Sequence, residues 1–199
     1  MTKCRVYDRV SCVFIFFFQA EGGIRDLVRS RGLGDVYKRQ IDNAAMQLAV
    51  GQPGELWWTN PSRNFDDVVI TAEARQVDGP NNNAYGLICR YQNEENFYAF
   101  LVSGDGYYAI GKYQSGSDTV TYLTPDAQFQ PSDAINVGVA SNELRVSCIG
   151  SELSLEVNGL PVMTVSDPTF VTGDIGLAAG TLEQGTTIVE FDNVRVTLP

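Results

Sequence analysis

From Ile41 onward, apolar residues recur at every second position in short runs. Asp67–Arg75 is the clearest: Val68, Ile70, Ala72 and Ala74 fall on one face, and Val69, Thr71, Glu73 and Arg75 on the other. That is the period of a half-buried strand. The same alternation runs through Leu144, Val146 and Cys148, through Leu153, Leu155 and Val157, and through Ile135, Val137 and Val139, so a strand is expected at each. Gly86–Tyr91, Phe97–Ser103 and Tyr107–Tyr113 are denser apolar runs, broken by Gln92–Asn96 and by Gly104–Asp105–Gly106. Aromatic and branched runs bounded by Asn, Gly and Asp read as an antiparallel meander. Ala45–Val50, Leu56–Thr59, Thr119–Leu123, Val162–Val165, Asp174–Ala179 and Thr187–Thr197 complete the set, with turn chemistry at Val77–Asn83 and at Asn158–Gly159. About twelve strands with no helical period predict an all-β antiparallel sandwich.

Side-chain parity then assigns faces. Leu87, Cys89 and Tyr91 share one face of their strand, and Gly86, Ile88 and Arg90 the other. Cys148 lies on the core-facing parity of its own strand. Cys89 and Cys148 are therefore either two buried thiols or a disulfide pair.

Composition removes whole classes of chemistry. The chain has no histidine, so Ser-His-Asp and Cys-His nucleophile systems and His-ligated metals are excluded. Charge divides sharply along the chain. Residues 1–40 carry eight Lys and Arg against four Asp and Glu; residues 41–199 carry six against twenty. So acidic a domain repels nucleic acid and anionic lipid, and neither is an expected partner.

Residues 1–20 have the outline of a signal peptide, with Lys3, Arg5 and Arg9 before the apolar run Cys12–Phe18. That run is too short to span a bilayer. Residues 16–40, FFFQAEGGIRDLVRSRGLGDVYKRQ, resemble a translated sequencing-library adapter. The match holds at every residue of Ser30–Gln40 and at all of Gln19–Asp26 except Gly22. The expected organisation is an adapter-like or disordered appendage over 1–40, followed by one domain over 41–199. A true targeting signal is then not recoverable from this sequence.

GLICRYQNEENFYAFLVSGDGYYAIGKY, then LRVSCIGSELSLEVNGLPV, then GDIGLAAG with VEFDNVRV, resemble the concanavalin A-like lectin/glucanase superfamily. The nearest likeness is to bacterial laminin-G-like and 3-keto-disaccharide hydrolase-like domains. The resemblance implies a jelly-roll sandwich in the extracellular space or cell envelope, fused to other modules. Such domains usually begin with a further strand before Asn43, so the first strand is expected to be missing.

The resemblance also frames the chemistry. Glucanases of this fold carry an E-x-D-x-x-E type pattern, whereas this chain offers only Glu190 and Asp192, in EFD. Two carboxylates in a closing strand without a third acid suit a structural role better than the acid–nucleophile pair of a glycosidase. No catalytic residues are assigned. Sugar rings stack on aromatic faces while polar groups hold their hydroxyls. The candidate ligand-binding residues are therefore Trp57, Trp58, Tyr85, Tyr107 and Tyr108, with Arg90 as a ligand-facing or intersheet-pairing residue. The expected function is a non-catalytic extracytoplasmic module that binds a glycan or cell-surface polysaccharide or serves as a structural accessory domain, with a glycoside hydrolase of the 3-keto-disaccharide/glucanase-like type and a protein-adhesion module as alternatives. No cofactor is expected. Loops Asp78–Asn83 and Asn93–Asn96 offer oxygen ligands that would suit calcium, but no DxDxDG spacing is present.

Overall fold

The computed structural model describes residues 3–7, 11–15, 37–42, 45–117 and 119–199. Three strands precede the predicted domain: β1 (Lys3–Tyr7), β2 (Ser11–Ile15) and β3 (Tyr37–Asp42). The rest of residues 1–44 lies outside the described residues. Thirteen strands follow from Ala45. They are β4 (Ala45–Val50), β5 (Leu56–Thr59), β6 (Val68–Asp78), β7 (Asn83–Asn93), β8 (Asn96–Val102), β9 (Tyr107–Tyr113) and β10 (Thr121–Tyr122). Then come β11 (Gln130–Pro131), β12 (Asn142–Ile149), β13 (Glu152–Val157), β14 (Leu160–Ser166), β15 (Asp174–Thr181) and β16 (Thr187–Thr197).

They form two antiparallel sheets. The first runs β1-β2-β16-β6-β12-β13-β14, with β4 between β16 and β3. The second runs β10-β9-β8-β7-β15-β5, with β11 against β9. Alternation explains the layering. Val68, Ile70, Ala72 and Ala74 of β6 and Leu144, Val146 and Cys148 of β12 meet Tyr85, Leu87, Tyr98, Phe100, Ile110, Ile175 and Leu177 from the opposite sheet. Burial of the Val, Leu, Ile and Phe side chains among them contributes about 1.5–3 kcal/mol each. Asn158 and Gly159 both have positive φ, +53° and +77°, which is the primed hairpin turn that this dipeptide favours.

The predicted strand at Ile135–Val139 does not form. Residues 132–141 are a loop, and Val137 and Val139 are 62% and 65% exposed. The reason is side-chain competition for the backbone. The buried Asn142 accepts from Asn136 N–H at 2.8 Å and donates to Asn136 C=O at 3.0 Å, and Asn158 donates to Asn142 at 2.8 Å. Gly138, at φ +71°, donates its N–H to Gly104 C=O instead of to a neighbouring strand.

Cys89 and Cys148 are bonded, with Cα atoms 6.8 Å apart, and so join β7 of one sheet to β12 of the other. Beside this bond the parity reading fails. Arg90 has φ +55°, and the register slips there against both β8 and β15. A bulge re-aims the side chain on it. Arg90 turns inward and is 1% exposed, although alternation puts it on the outer face. It donates to Cys148 C=O at 3.0 Å, to Asp67 Oδ1 at 3.0 Å and to Val171 C=O. Gly173 backs the bulge: a Cβ there would lie 2.3 Å from the Arg90 carbonyl carbon.

Candidate functional site: the outer face of the second sheet

The site is assembled from cross-strand rows on the outer face of the second sheet. One row is Trp58–Ala178–Gly86–Leu101–Ala109. The next is Gly176–Ile88–Ala99–Gly111–Tyr122. Gly180 and Ala84 pair on the far side of the first row. The floor is thus mostly Gly and Ala, and it is buried. Large side chains pack over it: Leu56, Trp58, Tyr91, Tyr113 and Phe129, each half-buried.

Three of the rings, Trp58, Tyr91 and Tyr113, cluster around the fully buried Phe97. Phe97 and Tyr113, cross-strand partners, stack at 4.3 Å and 12°. Trp58 lies 5.1 Å and Tyr91 5.7 Å from Phe97, and Trp58 and Tyr91 are 6.0 Å apart. A second pair, Tyr122 and Phe129, meets edge-on at 5.5 Å. Burial pushes the Tyr113 phenol above its ordinary range, with nearby Tyr122 adding to the shift, and burial raises Tyr122 as well. Both phenols are neutral hydrogen-bonding groups at neutral pH.

A polar network borders the cluster at the β7–β8 turn. Ser115 Oγ donates to Glu95 Oε2 at 2.8 Å, and Ser115 N–H donates to Asn96 Oδ1 at 3.0 Å. Asn93 Oδ1 accepts from Glu95 N–H at 3.0 Å and from Asn96 Nδ2 at 2.8 Å. On the other side, Asp174 pairs with Tyr91 across the strands. Burial raises the Asp174 carboxyl above its usual range, against backbone N–H groups of Ile175, Arg63 and Ser62 that lower it.

The six candidate residues separate. Trp58 joins the ring cluster, and Tyr107 is 41% exposed at the start of β9. Tyr85 and Tyr108 face the core, Tyr85 taking a hydrogen bond from Asn142 at 3.2 Å. Trp57 also turns inward, its Nε1 donating to Glu55 at 2.9 Å. Arg90 is buried between the sheets and bonded to Asp67, Cys148 and Val171. Parity missed Tyr91 for the same reason that it misplaced Arg90: the bulge brings Tyr91 out to the rings.

The carboxylates considered for catalysis lie on the outer face of the first sheet. Glu190 pairs with Arg75 at 2.8 Å and accepts from Gln47 at 3.0 Å, and these partners hold its carboxyl below the usual range. Asp192 accepts from its neighbour Asn193 N–H. Three of the loop oxygens considered for a cation are engaged internally: Gly79 and Pro80 carbonyls accept from Gln76 and Asn83, and Asn82 C=O from Leu182 N–H. Among the described residues, no group of three or more Cys, Asp or Glu is arranged to hold a metal ion.

Asp167 anchors the β14–β15 connection to the second sheet. It accepts from Tyr98 OH at 2.6 Å, Lys112 Nζ at 2.8 Å and Thr169 N–H at 2.9 Å. Burial alone would raise its carboxyl. The hydrogen bonds from Lys112, Thr169 and Tyr98 outweigh burial and hold it well below the usual range. Burial, then the bond to Asp167, pushes Tyr98 up to about 12. A depressed carboxyl stabilises the fold above its unfolded pKa, and that stability is lost as pH falls through the folded value. Asp167→Asn is expected to cost on the order of 2 kcal/mol at pH 6. Urea unfolding at pH 6 and pH 3 should show the gap to the parent narrowing at the lower pH; an equal gap at both would refute this.

No protein-family model and no curated protein matches the chain. Solved structures do resemble it. A carbohydrate-binding module, CBM66, from Bacillus subtilis aligns with a TM-score of 0.64 at 17% identity, over 81% of this chain and 91% of that one. A functionally unknown protein from Saccharomyces cerevisiae gives 0.56 at 14%, over 81% and 92%. A candidate glycosyl hydrolase from Parabacteroides distasonis gives 0.52 at 9%, over 79% and 88%. At such identities the likeness is one of fold. The chain is an antiparallel jelly-roll β-sandwich of the kind expected from its sequence, and proteins of carbohydrate binding and processing are among those that share it.

Proposed function

We propose that residues 41–199 form a non-catalytic carbohydrate-binding module of the concanavalin A-like type, working outside the cytoplasm. The observation that carries this is the layer of half-buried rings, Trp58, Tyr91 and Tyr113, packed over a Gly/Ala floor on one sheet face. Aromatic faces bordered by fixed hydrogen-bonding groups suit the CH faces and hydroxyls of sugars. The disulfide between the sheets fits an oxidising compartment. Fusion to other modules and an adapter origin for residues 1–40 belong to the same reading. Glu190 serves the sheet through Arg75 and Gln47, so the enzyme alternative draws no support from it.

The test is a glycan array probed with the parent protein and with Trp58→Ala and Tyr91→Ala, each checked for cooperative thermal unfolding. The parent should bind a restricted set of glycans, and each folded variant should bind them at least tenfold more weakly. A well-folded parent that binds no glycan would overturn the proposal.

A further inference from the structure

We propose that Glu95 sets the ligand class of the aromatic face, selecting neutral polyhydroxylated sugars and excluding anionic ones; this rests on the carbohydrate-binding reading above. The placement follows from the sheet. Phe97 and Tyr113 are stacked cross-strand partners. Glu95 and Ser115 lie two residues beyond each of them, and are themselves joined at 2.8 Å. The Glu95–Ser115 pair therefore continues the Phe97–Tyr113 pair off the end of the rings, into the polar turn.

Glu95 is exposed but held. Its Oε2 is fixed by Ser115, whose N–H is in turn fixed by Asn96, and its own N–H is tied to Asn93. None of the ion pairs among the described residues includes it. A carboxylate accepts hydrogen bonds and donates none. Held two residues beyond the stacked pair, it is organised in advance for vicinal hydroxyls, which lowers the cost of ordering it on binding.

The basic side chains of residues 45–199 have carboxylates beside them. Arg75, Arg90, Lys112 and Arg145 are each paired with a carboxylate. Arg195 lines a small cavity with Glu73 and Glu143 on the first sheet, and Arg63 lies beside Asp174. Glu94 adds a second acid to the same turn. A uronic acid or other anionic sugar would set its charge against the Glu95 carboxylate, and like charges brought together at a desolvated contact disfavour binding.

The experiment is affinity electrophoresis and calorimetry of the full chain with a soluble mixed-linkage β-glucan, a fructan, a galactomannan and polygalacturonate, at low and high salt. Glu95→Gln keeps the shape and the acceptor for Ser115 while removing the charge; Trp58→Ala removes a ring. The parent should bind at least one neutral polysaccharide and leave polygalacturonate unbound even at low salt, and Glu95→Gln should weaken the neutral binding at least tenfold. Neutral binding that Trp58→Ala abolishes but Glu95→Gln leaves unchanged would overturn the role of Glu95 and spare the binding face. Equal or tighter binding of polygalacturonate by the parent would overturn it too. Failure of the folded parent to bind any of the four would overturn this inference, and the reading on which it rests would fall only with a blank glycan array.

Discussion

Exchanging Cys89 and Cys148 together for Ala is expected to lower the unfolding free energy by about 4 kcal/mol. The bond spans a sequence separation of 59, and a cross-link over a loop that long removes much of the unfolded chain's freedom. It is also the one disulfide between the sheets among the described residues, joining β7 to β12. Both cysteines are fully buried. Reductant should therefore act on the native parent only through opening, and slowly. Urea unfolding of the double variant, without reductant, reads the effect directly. A midpoint within error of the parent would show that packing alone holds the sheets together.

The second large effect is expected at Arg90. Replacing it by Met should cost about 3 kcal/mol, the lower end of what removing one partner of a buried ion pair costs. Cys148 C=O and Val171 C=O would lose their donor. Asp67, with a side chain 46% exposed, can rehydrate, which keeps the loss from being larger. Arg90→Lys should recover little of it, because one ammonium cannot reproduce the planar fork that reaches three acceptors. Arg90→Gly adds a control. It relieves the positive-φ strain, worth about 1 kcal/mol, yet loses the same bonds, so it should remain destabilised. Equilibrium unfolding of the three variants decides: full rescue by Lys would mean that charge, not geometry, is what the site requires.

These two neighbouring residues mark where the sequence was legible and where it was not. Alternation placed Cys89 and Cys148 in the core, because each lies in a run where period 2 holds without interruption. One residue later the same rule failed. A bulge adds residues to β7 without changing the composition of the run, so nothing in GLICRYQ shows that Arg90 turns in and Tyr91 turns out. The Ile135–Val139 run failed differently. Its alternation is real, but Asn136, Asn142 and Asn158 hold its backbone as a loop, and only the fold brings those three side chains together. The candidate face divided along the same line. Of the tryptophan pair, sequence named both, and the pleat kept Trp58 for the outer face and gave Trp57 to the core. Phe97 and Glu95 could be placed beside Tyr113 and Ser115 only once the meander's register was known.

The Gly and Ala floor beneath the rings limits how this surface can change over evolutionary time. A methyl added at Gly86 would fall 1.9 Å from the Phe100 carbonyl oxygen, and one at Gly180 2.5 Å from that of Glu55. Those positions are closed to drift, since backbone cannot move aside as a side-chain tip can. The rings and the β7–β8 turn face no such barrier. A lineage acquiring a new ligand preference on this scaffold would therefore leave the floor untouched and diversify Trp58, Tyr91, Tyr113 and the Asn93–Asn96 turn, so that the record of past ligands is written in the rim.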